Sequence, residues 1–451
     1  MLDLLVINGT YPDFDKDQLI EANIGVKDGK ITYIGCDRPD AAKYIDAEGS
    51  VVSPGFIDIH MHEENFAVDG EKYIIADLML KMGVTTACGG NCGLQFQYLR
   101  DFKRTIEKLG GSPVNYVMLA GYNVTRFDML GGGGVRNDKA ATAAIIEEEL
   151  AEGAFGISFG IEYSPQMTYE EMLDILALLK TDHRYLAAAH YRASDAEAVP
   201  SVKEMIRLCE EAGVRFQISH LGSCAAMGEM TESLRLIEEC ASKNPDLRFD
   251  IYPYNAFSTM IGSAVFEPES MERWCKDLGQ VMLTAEPYKN VYCTEDILKD
   301  AREKYPTMTA VGFTMKEEEV AAGIANPYGM IASDAILNSG QGHPRASGTF
   351  PRVLGKYVRE DKVLSMVEAL KKMTLYPAER LSLHSKGRIE LDADGDLTVF
   401  NPNTVTDRAT YTDIYIQPEG IDYVILGGRV AMDHKTIVND RLGRFIPFQS
   451  F

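Results

Sequence analysis

Residues 55–62 read Gly-Phe-Ile-Asp-Ile-His-Met-His, an apolar run that ends in two histidines. Such a run is typical of a strand buried on both faces, as in a parallel sheet or barrel. Side chains alternate in direction along a strand, so His60 and His62 point to one side and Met61 to the other. Two imidazoles aimed together make half of a metal site, although two histidines can also fall two residues apart by chance.

Short apolar runs like that of residues 55–62 recur along the middle of the chain. They follow one another at roughly 30-residue intervals, separated by segments of helical periodicity such as Glu170–Lys180 and Val199–Ala212. The runs are Gly55–His62, Val84–Cys92, Asn115–Asn123, Ala154–Tyr163, Arg184–His190, Arg215–His220, Arg248–Tyr254 and Met330–Asp334. This alternation predicts an α/β fold in which eight βα units close into a (β/α)8 TIM barrel.

Other segments depart from this alternation. The long gap at about 255–329 predicts an insertion over the active-site face, which suits either a lid or a small helical subdomain without a chemical role. Both ends of the chain show strand patterns broken by turn signals such as Asp28-Gly29. We therefore expect the barrel to span 54–384 and a small β-sandwich domain to be assembled from 1–53 and 385–451.

Composition limits the partners of the protein. The formal charge is −22, from 45 basic and 67 acidic residues, which argues against nucleic acid or an anionic membrane as the main partner. The opening residues 1–9 predict a strand rather than a secretory signal or membrane helix. Eight scattered cysteines then predict reduced thiols and a cytoplasmic location. The run Gly131–Gly134 lacks the Lys-Ser/Thr of a phosphate-binding loop and predicts a flexible loop.

Side chains suited to catalysis or metal binding occur where the predicted strands end. In a barrel of this kind the working residues lie at the C-terminal ends of the strands. The residues at these ends are His60, His62, Cys92, His190, His220 and Asp334. Each has an ordinary alternative, such as a buried thiol, a hydrogen-bonded core histidine or a helix N-cap. The coincidence of all six favours a metal-dependent active site.

These motifs resemble the amidohydrolase superfamily and, within it, the D-aminoacylase (N-acyl-D-amino-acid deacylase) family, over nearly the whole chain. The matching stretches are Pro54–His62, Gly83–Thr86, Gly90–Gly93, Gly160–Tyr163, His190–Arg192, Gln217–His220, Asp250–Tyr254, Ser333–Asp334, His343–Arg345, Gly348–Arg352 and Tyr376–Arg380. Most superfamily members bridge two metals with a carboxylated lysine, whereas this branch uses a cysteine. The Gly-Asn-Cys-Gly of residues 90–93 is the specific sign of that branch.

The resemblance implies a zinc ion on Cys92, His190 and His220. A second and weaker metal position would use His60, His62 and again Cys92. The chemistry agrees, because a soft thiolate suits zinc and three protein ligands leave a coordination position open for water.

The resemblance also places Asp334 beside the metal and close to the reacting water. It would be the catalytic residue. An ionised carboxylate there can take the proton of the water and return it to the leaving amine. Cys88 is a weaker alternative to Cys92 as the ligand, since it does not match the family position.

Five further side chains match family positions near the pocket: Tyr163, Arg192, Tyr254, His343 and Arg345. The two tyrosines and Arg192 are expected to hold a carboxylate or the acyl oxygen, because a guanidinium suits a bidentate carboxylate grip. His343 and Arg345 are expected to form hydrogen bonds around Asp334. Tyrosines that fill a barrel top and arginines paired with acids are the alternative interpretation.

One departure from the family concerns the residues after the sixth strand. The family reads Leu-Lys or His-Lys after the histidine, and that lysine helps to hold the substrate carboxylate. This chain reads His220-Leu221-Gly222, so the ammonium group is missing.

We therefore expect a metal-dependent amidohydrolase that uses zinc to cleave an amide bond of a small molecule, with N-acyl-D-amino acids as the favoured substrates. A cyclic amide or ureide, cleaved as by a hydantoinase or dihydropyrimidinase, is the alternative that the missing lysine strengthens. A non-catalytic scaffold is a remote third hypothesis, because such scaffolds lose their metal ligands. Assembly into a homo-oligomer is left open.

Overall fold

The computed structural model of the chain describes residues 1–128, 130, 134–136, 138–338 and 340–449. The loop predicted for the glycine run of 131–134 therefore lies outside the described residues, except for Gly134.

Parallel strands form the centre of the fold. Phe56–Asp58, Val84–Gly89 and Asn115–Met118 make a three-stranded parallel sheet. A six-stranded parallel sheet begins at Ala120–Gly121 and continues through Gly156–Gly160, Leu186–His190, Arg215–Ile218, Leu247–Ile251 and Gly329–Ile331. Beyond their ends, the first and last of these strands approach each other, where Met61 and Ala335 form a parallel bridge. The strand order in space follows the chain, so neighbouring strand ends present their side chains to a common edge.

Helices follow most of these strands. The longer ones are Ile75–Lys81, Leu99–Lys108, Lys139–Ala151, Tyr169–Leu176, Ala198–Ala212, Met230–Ala241, Glu295–Lys304, Glu317–Ala325, Arg345–Arg352 and Met366–Met373. Shorter ones are Phe66–Asp69, Tyr122–Arg126, Leu221–Ala225, Pro268–Trp274 and Leu375–Arg380, and Val353–Glu360 is π-helical. Ala198–Ala212 buries Val202, Met205 and Leu208 on one face and ends at Gly213, whose φ of 63° suits the left-handed C-cap.

The two ends of the chain share one nine-stranded sheet. Its strands are Leu2–Asp13, Gln18–Lys27, Lys30–Gly35, Ala41–Asp46, Val51–Pro54, Leu397–Phe400, Ile421–Leu426, Arg429–Asp433 and Thr436–Ile437. The halves meet where Val51–Pro54 pairs antiparallel with Leu397–Phe400. The final segment takes another path, because Gly443 and Phe445 form bridges with Ser112 and Tyr116 beside the parallel strands.

The segment between the parallel strands Leu247–Ile251 and Gly329–Ile331 contains a sheet of its own. Phe257–Met260, Thr309–Gly312, Val281–Leu283 and Val291–Tyr292 form four antiparallel strands, accompanied by three helices. A purely helical subdomain is therefore wrong for this insertion, since its short apolar runs pair with one another. Among the residues that the structure describes, no helix combines the length and apolar character needed to cross a lipid bilayer.

Candidate metal centre and substrate cavity

Cys92 lies at the centre of a buried cluster at the strand ends. Its Sγ is 3.3 Å from Nε2 of His60 and 3.3 Å from Nε2 of His220. Oδ1 of Asp334 is 3.4 Å from the same His60 nitrogen. One ligand atom from each of these four residues lies within 4.8 Å of the others, the spacing of groups that can share a metal ion.

The two remaining predicted ligands border this cluster. His62 places Nε2 3.5 Å from Oδ1 of Asp334, and its buried Nδ1 has no hydrogen-bond partner among the described residues. His190 places Nδ1 2.9 Å from Nε2 of His220. The structure thus brings all six predicted residues together.

The backbone at three of these positions is left-handed. Cys92, His220 and Asp334 have φ values of 53°, 33° and 48°. Each stands where a strand gives way to a loop, and the conformation costs about 1–2 kcal/mol for a residue with a side chain. Surrounding contacts must hold it in place, and Glu63 supplies two of them for the Cys92 loop. Its carboxylate accepts hydrogen bonds from the backbone N–H groups of Gly90, at 2.9 Å, and Phe96, at 2.8 Å.

The cluster favours negative charge on its sulfur and carboxylate. Burial acts to raise the pKa of the Cys92 thiol, but His60 and His220 bring that pKa well below its ordinary value. Burial likewise opposes ionisation of Asp334, yet Arg345 and His220 hold the pKa of the carboxyl well below its usual range. An ionised thiolate and carboxylate among imidazoles are the donors that a divalent cation binds.

Two imidazoles of the cluster, those of His62 and His190, have raised pKa values. Burial lowers the pKa of His62, but hydrogen bonds to Asp334 and Cys92 raise it to about 9. Burial also lowers the pKa of His190, whereas Cys92 and Glu162 raise it to about 9. A metal ion would displace the protons that such pKa values favour, since metal binding requires neutral imidazole.

Three polar groups behind the histidines fix the orientation of the rings. Nδ1 of His60 is 3.1 Å from Oδ1 of Asp250, and Nδ1 of His220 is 2.9 Å from Oγ of Ser223. Nε2 of His190 is 2.9 Å from Oε2 of Glu162. In each ring the other nitrogen is then left for the centre of the cluster. No local sequence pattern indicates these roles, although Glu162 and Asp250 also lie at or near strand ends.

A cavity of about 370 Å³ opens beside the cluster, within the size range of small-molecule sites. His62, Cys92, Asp334, Tyr163 and Arg345 line it, together with residues from the insertion. The Tyr163 ring lies 4.4 Å from that of His190. The strand ends therefore form one wall of the cavity, and the insertion forms another.

The buried guanidinium of Arg345 lies next to the carboxylate of Asp334. Its Nη1 is 2.9 Å from Oδ2 of Asp334, and its Nη2 donates to the carbonyl oxygen of Ser258 at 3.1 Å. It also stacks on the Tyr252 ring at 4.7 Å. Nδ1 of His343 accepts a hydrogen bond from the backbone N–H of Arg345 at 3.0 Å, so His343 acts on Asp334 only indirectly.

Three predicted substrate residues, Arg192, Tyr254 and His343, are not among the described residues that line the cavity. The guanidinium of Arg192 pairs with both carboxylate oxygens of Glu204, at 2.7 and 2.8 Å. The hydroxyl of Tyr254 donates to Asp407 at 3.1 Å. Both partners satisfy the polar group locally, which corrects the expectation that Arg192 and Tyr254 reach the substrate.

Gly222, where the family has its lysine, is also outside the cavity lining. It is buried in the helix Leu221–Ala225. A Cβ there would lie 3.0 Å from Cε of Met315 and 3.3 Å from Cγ1 of Ile251. A lysine at this position would therefore have to displace the Met315 side chain.

Comparison with known proteins identifies the family. Residues 167–432 match the model of the amidohydrolase family. A D-aminoacylase of Alcaligenes xylosoxydans xylosoxydans is 31% identical over 488 residues, which cover 98% of this chain and 97% of that protein. The chain therefore belongs to the amidohydrolase family. Within that family it is a hydrolase of the D-aminoacylase branch, as the sequence motifs predicted.

Solved structures agree with this assignment. A D-aminoacylase with a binuclear metal centre has a TM-score of 0.86 at 27% identity, with 100% of both chains covered. The N-acyl-D-glutamate deacylase of Bordetella bronchiseptica, complexed with zinc and a phosphonate inhibitor, has a TM-score of 0.86 at 25% identity, with 99% of both chains covered. The L-hydantoinase of Arthrobacter aurescens, at 17% identity and a TM-score of 0.67 over 99% of this chain and 100% of its own, shares the fold alone.

Proposed function

We propose that this protein hydrolyses N-acyl-D-amino acids to a D-amino acid and a carboxylate, with zinc bound in the cluster around Cys92. The observation that carries the proposal is the convergence of a thiolate, a carboxylate and four imidazoles on a cavity that also contains a buried guanidinium. A D-aminoacylase and deacylases of N-acyl-D-aspartate and N-acyl-D-glutamate are 26–31% identical to this chain over 95–98% of its length, whereas a dihydroorotase over 97% of it is 23% identical and the hydantoinase shares only the fold.

The residues present fit a zinc ion. Nδ1 of His190 and Nε2 of His220 face each other at 2.9 Å, and the latter is 3.3 Å from the Cys92 sulfur. These three residues are the proposed tight site. His60, His62 and Cys92 are the proposed second site, so that the thiolate serves both. Thiolate and imidazole are the ligands that zinc prefers.

Bound zinc would polarise the amide carbonyl and lower the pKa of the attacking water. Asp334 is the proposed proton carrier, because its Oδ1 faces the cluster while its Oδ2 is held by Arg345. The carboxylate takes a proton from the water and delivers it to the nitrogen of the leaving amine. Arg345 keeps Asp334 ionised and oriented for both transfers.

A direct test measures amide cleavage by the purified protein. N-acetyl-D-methionine serves as the test compound for the class of N-acyl-D-amino acids, and its L-enantiomer and a hydantoin are the comparison compounds. Treatment with a chelator should abolish the activity, and added zinc should restore it. Opening of the hydantoin without cleavage of any N-acyl-D-amino acid would exclude the deacylase function and leave the metal site intact.

Arg345 is the proposed partner of the substrate's α-carboxylate. A charge-assisted hydrogen bond contributes roughly 1.5–3 kcal/mol, so Arg345→Met should raise KM for carboxylate-bearing substrates by at least about tenfold, in addition to any fall in kcat caused by loss of its contact with Asp334. Arg192→Met is the matched control, because Glu204 holds that guanidinium outside the cavity lining. Equal effects on KM in the two variants would remove Arg345 from substrate binding.

Glu162 is the proposed anchor of His190. Loss of such a group typically weakens metal affinity by about 10- to 100-fold, so Glu162→Ala should raise the Kd for zinc by that factor. Competition with a chromophoric chelator measures this constant independently of turnover. Glu204→Ala serves as the control, and an unchanged zinc Kd in Glu162→Ala would refute the anchoring role.

We also propose that the parallel strands close into a (β/α)8 barrel over 54–384, with an insertion at about 255–329. The bridge between Met61 and Ala335 supports closure. The shared terminal sheet supports a small β domain from 1–53 and 385–451, and its closure into a β-sandwich stays a prediction. A cytoplasmic location is proposed because all eight cysteines are free thiols. Homo-oligomer formation stays a hypothesis for solution measurements.

A further inference from the structure

We propose that a second cavity, at the N-terminal ends of the parallel strands, binds a doubly charged oxyanion of the phosphate class. This N-terminal cavity has a volume of about 470 Å³, within the size range of small-molecule sites. Part of its lining lies at or just before the first residues of Leu186–His190, Arg215–Ile218, Leu247–Ile251 and Gly329–Ile331. The cluster around Cys92 lies at the opposite ends of the strands, so the proposal is independent of the deacylase function.

Three guanidinium groups converge on the N-terminal cavity. They belong to Arg215, Arg248 and Arg380, which all line it. Among the residues that the structure describes, no carboxylate forms an ion pair with any of the three, and their hydrogen bonds go to uncharged oxygens. The protein as a whole carries a net charge of −22. A local concentration of unpaired arginines in so acidic a chain indicates a site for a negatively charged ligand.

The side chain of Arg380 is anchored but keeps donors for a ligand. The residue is only 7% exposed, and burial together with the charges of Arg248 and Arg215 lowers its pKa to about 9. Its Nε donates to Oε1 of Gln217 at 3.3 Å, and its Nη2 donates to two backbone carbonyl oxygens. Nη1 takes part in none of these bonds. A bound anion would offset the repulsion among the three buried or half-buried guanidinium groups.

Arg215 and Arg248 are each held through one nitrogen. Nη1 of Arg215 donates to Oγ of Ser382 at 2.9 Å and to the carbonyl oxygen of Arg380 at 3.4 Å. Nη1 of Arg248 donates to the carbonyl oxygen of its neighbour at 2.7 Å, and the guanidinium lies 5.2 Å from the centre of the Tyr328 ring. Nε and Nη2 of both side chains form no hydrogen bond with the described residues. These donors can bind two oxygens of one phosphate group, which the planar guanidinium matches in geometry.

The acidic residues of the lining do not cancel this positive charge. They are Asp246 and Glu379. Glu379 is exposed, and its Oε1 lies 3.8 Å from Nη2 of Arg388, which is not among the described lining residues. Oδ1 of Asp246 lies 3.2 Å from Nε2 of His183. Three guanidinium groups therefore face one carboxylate, and this surplus of two positive charges matches a dianion.

The remaining walls suit an organic group attached to the anion. They are aromatic or apolar and consist of Pro245, Pro327, Tyr328, Met330 and Tyr376. Apolar and aromatic surface of this kind can cover the alcohol part of a phosphate monoester. Inorganic phosphate and a monoester share the charged group that the arginines would recognise, so both serve as probes.

Isothermal titration calorimetry on the zinc-loaded protein tests the proposal, with inorganic phosphate and phenyl phosphate as probes at constant ionic strength. We expect saturable binding with a Kd of about 1 mM or tighter. Arg215→Gln and Arg248→Gln should each weaken binding by at least about tenfold, because each removes a charge-assisted contact. Arg207→Gln is the matched control, since it removes an exposed arginine that pairs with Glu211, and it should leave the Kd unchanged. Substitution of Arg380 would also disturb the strands whose carbonyl oxygens it binds.

Phosphate can also bind zinc, so the two sites must be distinguished. Binding that persists in Arg215→Gln and Arg248→Gln but disappears when a chelator removes the zinc would place the anion at the metal cluster and overturn the proposal. Absence of saturable binding to the wild-type protein would overturn it as well, and the arginines would then serve only to bind carbonyl oxygens at the strand ends. Where the two variants do weaken binding, a lower Kd for phenyl phosphate than for phosphate would assign the site to monoesters, and an equal or higher one to the free ion.

Discussion

Asp334→Asn is expected to lower kcat by at least about 10²-fold, within the range of about 10² to 10⁴ for general acid–base groups. The amide keeps the shape of the carboxylate and can still accept the hydrogen bond from Arg345, but it cannot take a proton. Steady-state kinetics on N-acetyl-D-methionine measure the loss. Zinc content should persist, because imidazoles and the thiolate hold most of the ligand positions.

Asp407→Asn is the control for that variant. Asp407 is another carboxylate paired with arginine, at 3.2 Å from Nη1 of Arg352, and it lies outside the cavity lining. A comparable loss of kcat in Asp407→Asn would indicate a general packing effect. Near-normal turnover of Asp334→Asn would exclude Asp334 as the proton carrier.

Cys92→Ala should lose most of the bound zinc and about 10²-fold or more of the activity, because both proposed metal positions share this sulfur. Metal analysis after gel filtration and an amide-cleavage assay measure the two losses together. The change removes the thiolate that holds the centre of the cluster, 3.3 Å from two imidazole nitrogens.

Cys88→Ala is a close control, four residues earlier and also buried. Burial raises the pKa of the Cys88 thiol, so it stays protonated, and its Sγ contacts the carbonyl oxygen of Gly89 at 3.8 Å. Full zinc content in Cys92→Ala, with loss in Cys88→Ala, would show that the ligand had been misassigned.

The sequence predicted the parallel strands and the six clustered residues because their signals are local. An apolar run and the His-x-His spacing depend on neighbouring residues alone. The strand predicted to reach Cys92 instead ends at Gly89, since Gly90, Cys92 and Gly93 all have positive φ. Turn geometry of this kind is poorly encoded in hydrophobic periodicity.

Pairing between distant side chains was beyond sequence reasoning. Arg192 and Arg345 both follow family motifs, yet Glu204 holds one outside the cavity lining and Asp334 holds the other inside it. The residue type determines which groups a side chain can bind, whereas the fold determines which of those groups lies within contact distance. Glu162 was overlooked for the same reason, because its role depends on the position of His190.

The left-handed backbone at Cys92, His220 and Asp334 determines how the metal preference of this site can be engineered. Aspartate, asparagine and histidine enter that conformation more readily than other residues with side chains, whereas β-branched residues are outliers there. Exchange of Cys92 for aspartate or histidine would therefore keep the loop and offer a harder donor to ions such as Mn²⁺. Threonine or valine at the same three positions would strain the backbone of the loops, and this strain would arise whether or not a metal ion binds.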